Sequence, residues 1–279
     1  MNARFYTESC SSVSPSDQID PRMSRFLLII VFVMTVVVSR CPSMPAEEIV
    51  LSETPVRIVT SSDETIFPES WRKAPISASG AAVSEDQFER VKMILSGALK
   101  KYSAGVLAAN LKSVYVVSNL EYSGVSTSGT NSRTSVYLRI GEPKKGFTDT
   151  HIESVFHAEF SSILLRNFRN KFPVEAWTAI NPPGFTYLGD GVEAIKQKKA
   201  KLALNASLHE IGFFREYSQS TMENDLNAYA TFLFMGDKAT WELVERYPKM
   251  KAKADLTIEF YQQIDESFTE SYFRSLIAP

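Results

Sequence analysis

The sequence predicts an α+β fold, with a small early sheet and a helical C-terminal half. Two observations carry this: the strand candidates, rich in β-branched and aromatic residues, all come before residue 141, and helical patterns dominate after it. A third is bulk composition. The 279 residues are 44% hydrophobic and 22% charged, an ordinary globular balance with enough chain for one large domain. The net charge of -2 gives no electrostatic reason to expect nucleic acid as a partner.

Residues 1–46 read as a leader and 47–279 as a single domain. Met23-Ser24-Arg25 precedes an apolar run from Phe26 to Val38, closed by Ser39-Arg40-Cys41-Pro42. Such a helix reaches only ~20 Å, short of the ~30 Å core of a bilayer, so a signal peptide is expected. The alternative is a short retained anchor. Val38-Ser39-Arg40-Cys41 resembles a lipoprotein box, with Arg40 departing from the small residue that usually precedes the lipidated Cys; cleavage near Met44-Pro45-Ala46 would instead release a secreted protein. Residues 1–22 read either as an extension ahead of the true start, Met23, or as a long n-region. Cys10 and Cys41, the two cysteines of the chain, both lie in this leader. The domain is thereby denied disulfides, cysteine zinc ligands and cysteine nucleophiles.

Within the domain, Pro55 to Thr60 predicts a strand and Ser70 to Ala82 a linker. Ser84, with Gln87 three residues on, opens a helix whose stripe is Phe88, Val91, Leu95 and Leu99. Val114 to Val117 and Ser135 to Ile140 predict strands, joined by a hairpin-type loop over the Ser/Thr/Gly/Asn-rich stretch Ser123 to Ser132. Thr148-Asp149-Thr150 caps a second helix running to about Phe168. Asn181-Pro182-Pro183-Gly184-Phe185 is a connection, and helices follow over Val192 to Leu208, Met222 to Met235 and Lys249 to Leu276.

The second helix holds the chemistry. Its stripe is Ile152, Val155, Phe156, Ile163 and Leu164, and Glu159 falls on the same stripe. A carboxylate facing a core is costly unless paired, protonated or metal-bound. Glu159 is therefore a general base or metal-site carboxylate, or else the partner of a buried cation. His157 stands two residues earlier, its face shared with Glu153, Phe160, Ser161 and Leu164. His209 is followed by Glu210, but Phe213 excludes a His-Glu-x-x-His motif there. His151, in a first helical turn, reads as a neutral surface imidazole.

Val155-Phe156-His157-Ala158-Glu159-Phe160-Ser161-Ser162-Ile163-Leu164 resembles the active-site helix of bacterial exported zinc metallopeptidases of the lipoprotein type. These are gluzincin-like and similar to the peptidase domain of anthrax lethal factor. In that family a His-Glu-x-x-His helix follows an edge strand lining the substrate cleft, a later helix supplies an acidic third ligand, and a Tyr before it assists the transition state. The order here is similar: the strand Ser135 to Ile140, the helix with His157 and Glu159, Gly212 to Tyr217, then Glu223-Asn224-Asp225-Leu226-Asn227-Ala228-Tyr229. Glu193-Ala194-Ile195 and the stretch from Trp177 to Tyr187 also fit that group. The likeness covers roughly Ser135 to Met235.

The resemblance implies a zincin-like fold, Glu159 and Tyr217 as catalytic residues, and His157, Asp225 and Glu223 as metal ligands, with Asp225 preferred over Glu223 as the third ligand. With Glu159 as the base, the motif's histidine positions are 158 and 162, which hold Ala and Ser. Zinc, an ion that takes nitrogen or carboxylate donors at ~2 Å, is then bound weakly or not at all. Three readings follow: a metallopeptidase scaffold without normal hydrolysis that binds a peptide or protein in its cleft; a working hydrolase with an unusual site; or a structural lipoprotein with Glu159 as a paired core carboxylate. In each the protein is exported, either held at a membrane through its N-terminus or released as a secreted protein.

Overall fold

The computed structural model describes residues 47–50, 54–61 and 63–277; the expectations for the leader, 1–46, lie outside these residues. Two sheets and ten α-helices make up the described part, and the architecture is α+β. Strands β1 (Glu47–Val50), β2 (Arg57–Thr60), β4 (Ser113–Val117), β8 (Ser135–Arg139) and β7 (Gly129–Asn131) form a mixed sheet in the order β1-β2-β4-β8-β7. β2, β4 and β8 are parallel, and both edge strands run antiparallel to their neighbours. A smaller sheet pairs β3 (Ser79–Ala81), β5 (Asn119–Tyr122) and β6 (Val125–Ser126).

The pleat explains why the two sheets have separate cores, since alternate side chains of a strand face opposite ways. Val114, Val116, Val136 and Leu138 enter the main core, whereas Val117 and Tyr137 enter a satellite with Phe67, Ala78 and Leu120. The helix α1 (Glu85–Leu99) and the short α2 (Ala104–Asn110) provide the crossover from β2 to β4. α1 buries Phe88, Val91, Leu95 and Leu99, the stripe read from the sequence.

α3 (Asp149–Asn167) is the central helix. Its N-cap, Thr148, accepts a hydrogen bond from the His151 backbone N–H. Phe156, Phe160, Ile163 and Leu164 are fully buried on it, and aromatic or leucine side chains sequestered in this way contribute about 1.5–3 kcal/mol each. α4 (Val174–Ile180), α5 (Gly191–Lys196) and α6 (Ala206–His209) follow, then α7 (Met222–Met235), which packs along α3. α8 (Lys238–Arg246), α9 (Pro248–Ile264) and α10 (Glu270–Ser275) close the other side of α7. Among the described residues no helix is long and apolar enough to cross a membrane.

Four expectations differ from this fold. The stretch Ser123 to Ser132 is not a hairpin loop between β4 and β8, which are parallel. It holds β6 and β7, with Ser123 and Gly124 at positive φ (53° and 73°) forming the two-residue turn between β5 and β6, as tight hairpins require. Its small polar residues carry little strand signature, which hides these strands from a propensity reading. The linker 70–82 holds β3. The helix expected from Val192 to Leu208 is broken at Lys198, at φ 58°. Lys196, Lys198, Lys199 and Lys201 crowd like charge there without an apolar stripe. Finally, the helix expected over Lys249 to Leu276 stops at Ile264, because the Asp265 carboxylate binds both the N–H and the hydroxyl of Ser267, and Thr269 caps a new helix.

Candidate functional site

Glu159 sits on α3 where β7 crosses it. The close approach depends on Gly129, since a Cβ there would lie 2.5 Å from Val155 Cγ1 and 3.0 Å from Glu159 Cγ. Any side chain would push the strand off the helix. The Glu159 carboxylate is half-buried and accepts a hydrogen bond from Asn131 Nδ2 at 2.5 Å. Asn131 in turn accepts from Arg166, which lies 3.6 Å from Glu223. Burial first, helped by the nearby negative charge of Glu223, pushes Glu159 up to about 7 against the pull of Asn131 and Arg166. Near neutral pH this carboxyl is thus divided between its acid and base forms, the condition a general acid–base group requires.

Glu159 opens onto a cavity of about 710 Å³ between β6–β7, α3, the end of α5 with the loop that follows it to residue 202, and α7. Tyr217 lines the same cavity, and its hydroxyl is raised to about 12 by burial and then by the Glu159 charge. The structure therefore brings together Glu159 and Tyr217, the two residues expected to be catalytic. At neutral pH Tyr217 is a phenol, able to donate a hydrogen bond. Three lining residues that the sequence reading passed over are His151, Arg215 and Asn227. His151 is half-buried, not a surface group: its Nε2 lies 3.0 Å from Ser128 Oγ, and burial lowers it, with Arg215 adding to the effect.

The residues expected to ligate metal are not brought together. His157 lies fully buried on the opposite side of α3, its Nδ1 bonded to the Tyr102 hydroxyl at 2.9 Å and its ring stacked on Phe234. Its Nε2 is 3.5 Å from Glu153 Oε1, too long for a strong hydrogen bond. Burial lowers His157 to about 4, against the attraction of Glu153, so it is a neutral packing residue. Two residues span about 200° of helix, and Glu159 and His157 cannot share a site.

The same phase separates Glu223 from Asp225. Asp225 is fully buried toward α4 and α9, where Lys253 Nζ reaches its Oδ2 at 2.6 Å. The Tyr187 hydroxyl donates to the same oxygen at 2.8 Å and Trp177 Nε1 at 3.2 Å. Asp225 lies outside the cavity, held by a buried cation. Glu223 is partly exposed beside Arg166, outside the cavity as well but close enough for its charge to act on Glu159. His209 is buried, with Nε2 3.3 Å from the Phe214 carbonyl.

Positions 158 and 162 do share the Glu159 side of α3. Between them sits Asn227 of α7. Its amide donates to the carbonyls of Ala158 and Glu223, 3.2 Å each, and accepts from Ser162 Oγ at 2.8 Å. Neither position offers a nitrogen or carboxylate, and among the described residues no group of three or more His, Cys, Asp or Glu could hold a metal ion. These donors do not fit zinc, which takes three protein ligands and one open position in catalytic sites.

No protein-family model matches the chain, and no curated protein matches it in sequence. Among solved structures it is similar to a Bacteroides caccae protein described as a "putative zinc-binding metallo-peptidase". The identity is 15% and the TM-score 0.44, over 67% of this chain and 75% of that one.

Proposed function

We propose that the chain is an exported, zinc-metallopeptidase-like protein that has lost zinc-dependent hydrolysis and binds a peptide or protein segment in the cleft beside Glu159. The observation that carries this reading is the pairing of Glu159 and Tyr217 in one open cavity with Ala158 and Ser162 in place of the two motif histidines. A general base and a phenol survive there, while the imidazoles that would hold a carbonyl-polarising metal are missing. Without such polarisation, most of the stabilisation of a tetrahedral intermediate is lost.

Binding needs less. β7 is an edge strand beside the cavity, and an extended peptide can add to such an edge through main-chain hydrogen bonds, with pockets for alternate side chains. The strand expected to be this edge, Ser135 to Ile140, is instead internal, between β4 and β7. The apolar run Phe26 to Val38 supports export and tethering at the outer face of a membrane.

The test is metal analysis and peptide hydrolysis on the full chain purified without chelator, from cells fractionated first. We expect the protein in the envelope or the medium, substoichiometric zinc, and no peptide cleavage above that of a Glu159→Gln variant. One zinc per chain together with cleavage abolished by Glu159→Gln would overturn the loss of hydrolysis. Full-length protein confined to the cytosol would overturn export.

A further inference from the structure

The charge of the cavity is lopsided. Its one acidic lining residue is Glu159, half neutralised at pH 7 by its surroundings, whereas Arg215, Lys198 and Lys201 also line it. None of these three cationic side chains has a hydrogen-bond or ion-pair partner among the described residues. The Arg215 guanidinium is half-buried, and its Nε is buried without an acceptor. An arginine withdrawn from water without an anion is unfavourable, and the planar guanidinium is shaped to hold a carboxylate by two parallel hydrogen bonds. Its charge is felt by His151, which burial keeps toward the neutral form and which therefore does not compete as a cation.

Beside this group, Ile195 and Leu202 line the cavity with 38% and 55% of their surface exposed. These are two of only five large hydrophobic side chains so exposed among the described residues. A cationic wall next to unpartnered apolar side chains describes a particular ligand chemistry.

We propose that the cavity takes a peptide carrying a carboxylate, on an acidic side chain or at its C-terminus, which Arg215 binds with Lys198 and Lys201 while neighbouring apolar side chains rest on Ile195 and Leu202. The proposal rests on the peptide-cleft reading above and names its ligand class. Glu159 lies in the same cavity but is not the anchor. A lysine-rich segment is excluded by the same wall that attracts an acidic one.

Isothermal titration calorimetry of the full chain with four unlabelled octapeptides tests this. One alternates Leu and Asp with an amidated end; a second alternates Leu and Asn with an amidated end. A third is the Leu/Asn peptide with a free carboxylate, and the last alternates Leu and Lys with an amidated end. The first or the third, according to the source of the carboxylate, should bind about tenfold tighter than the amidated Leu/Asn peptide, the usual scale of a charge-assisted contact. The Leu/Lys peptide should bind most weakly. Arg215→Gln should remove the preference. The exposed Lys201→Gln, which is not expected to disturb folding, should reduce it about threefold. Equal binding of all four peptides would sink the anionic preference and leave a peptide cleft standing. No binding of any would sink both.

Discussion

At position 159 a carboxyl group is held between a strand that tolerates no side chain at Gly129 and a helix whose adjoining residues are apolar. Its raised pKa, about 7 against an unfolded value of 4.5, has a definite sign for stability. Between those values the folded state binds more protons than the unfolded, so stability falls as pH rises, and the loss is complete above about pH 7. Glu159→Gln keeps the acceptor for Asn131 and removes the charge. We expect it to equal the parent at pH 4.5 and to exceed it at pH 8 by about 1–3 kcal/mol, the full shift being discounted for the open side of the carboxyl. Urea unfolding at the two pH values measures this. A variant less stable than the parent at pH 8 would contradict the protonation argument. The oddity of Glu159 was legible, because a single acid on an apolar stripe needs no family to be noticed. That the expected metal ligands do not converge was legible as well, with more care. His157 and Asp225 each stand two residues from a partner they were grouped with, Glu159 and Glu223, and two residues reverse the face of a helix. Arg215 could not be found this way, since it precedes a short 3-10 turn at Glu216–Gln219 with no periodicity to orient it.

The elements most faithful to the sequence are the long helices with clear start signals and stripes. α1 begins after Ser84, although that hydroxyl makes no cap hydrogen bond, α7 runs from the Thr221 cap to Gly236 at φ 62°, and α3 starts at the Thr148 cap, each at the expected place. Less legible were elements set by tertiary contact, such as β7, whose Gly-Thr-Asn content is chosen by the approach to α3. The junction of α4, α7 and α9 belongs to this second kind. No sequence signal pairs Asp225 with Lys253, 28 residues apart, yet both are fully buried, and the Lys253 ammonium also lies 3.9 Å from the Phe213 ring centroid. Burial pushes Asp225 up and Lys253 down, so each depends on the other to remain charged. Lys253→Met should cost about 3–5 kcal/mol by orphaning the carboxylate. Adding Asp225→Asn, which still accepts from Tyr187 and Trp177, should recover at least half of that. Denaturant midpoints of the two variants decide it, and a single substitution within ~0.5 kcal/mol of the parent, as at surface sites, would mean that no buried pair joins these helices.

Over the molecule as a whole, the proposed zincin-like frame requires that the sheet, α3 and α7 hold positions from which a metal could be ligated. Residues four apart on a helix share a face, and positions 158 and 162 do so on the side of α3 that meets α7, one on each side of the Asn227 amide. Ala158→His with Ser162→His would place two imidazoles there, flanking Glu159 in the order His-Glu-x-x-His. The third ligand is decided by the fold: Asp225 is committed to Lys253 on the far side of α7, whereas Glu223 is near enough to act on the Glu159 charge and among the described residues its carboxylate is tied only to Arg166, at 3.6 Å. An exposed pair held at that distance contributes little and can be given up for a metal bond. The double-histidine variant should therefore bind about one zinc per chain where the parent binds far less. Adding Glu223→Ala should abolish the gain. Asp225→Ala should instead act on stability, through Lys253, without removing zinc from the protein that remains folded. Equilibrium dialysis against zinc, followed by metal analysis and a melting curve for each variant, separates the two effects. If the folded double variant takes up no more zinc than the parent, α7 does not present an acid to this helix. The zincin-like frame proposed for the chain would then fail at its central contact, and the cleft beside Glu159 would have to be explained without reference to a metal site.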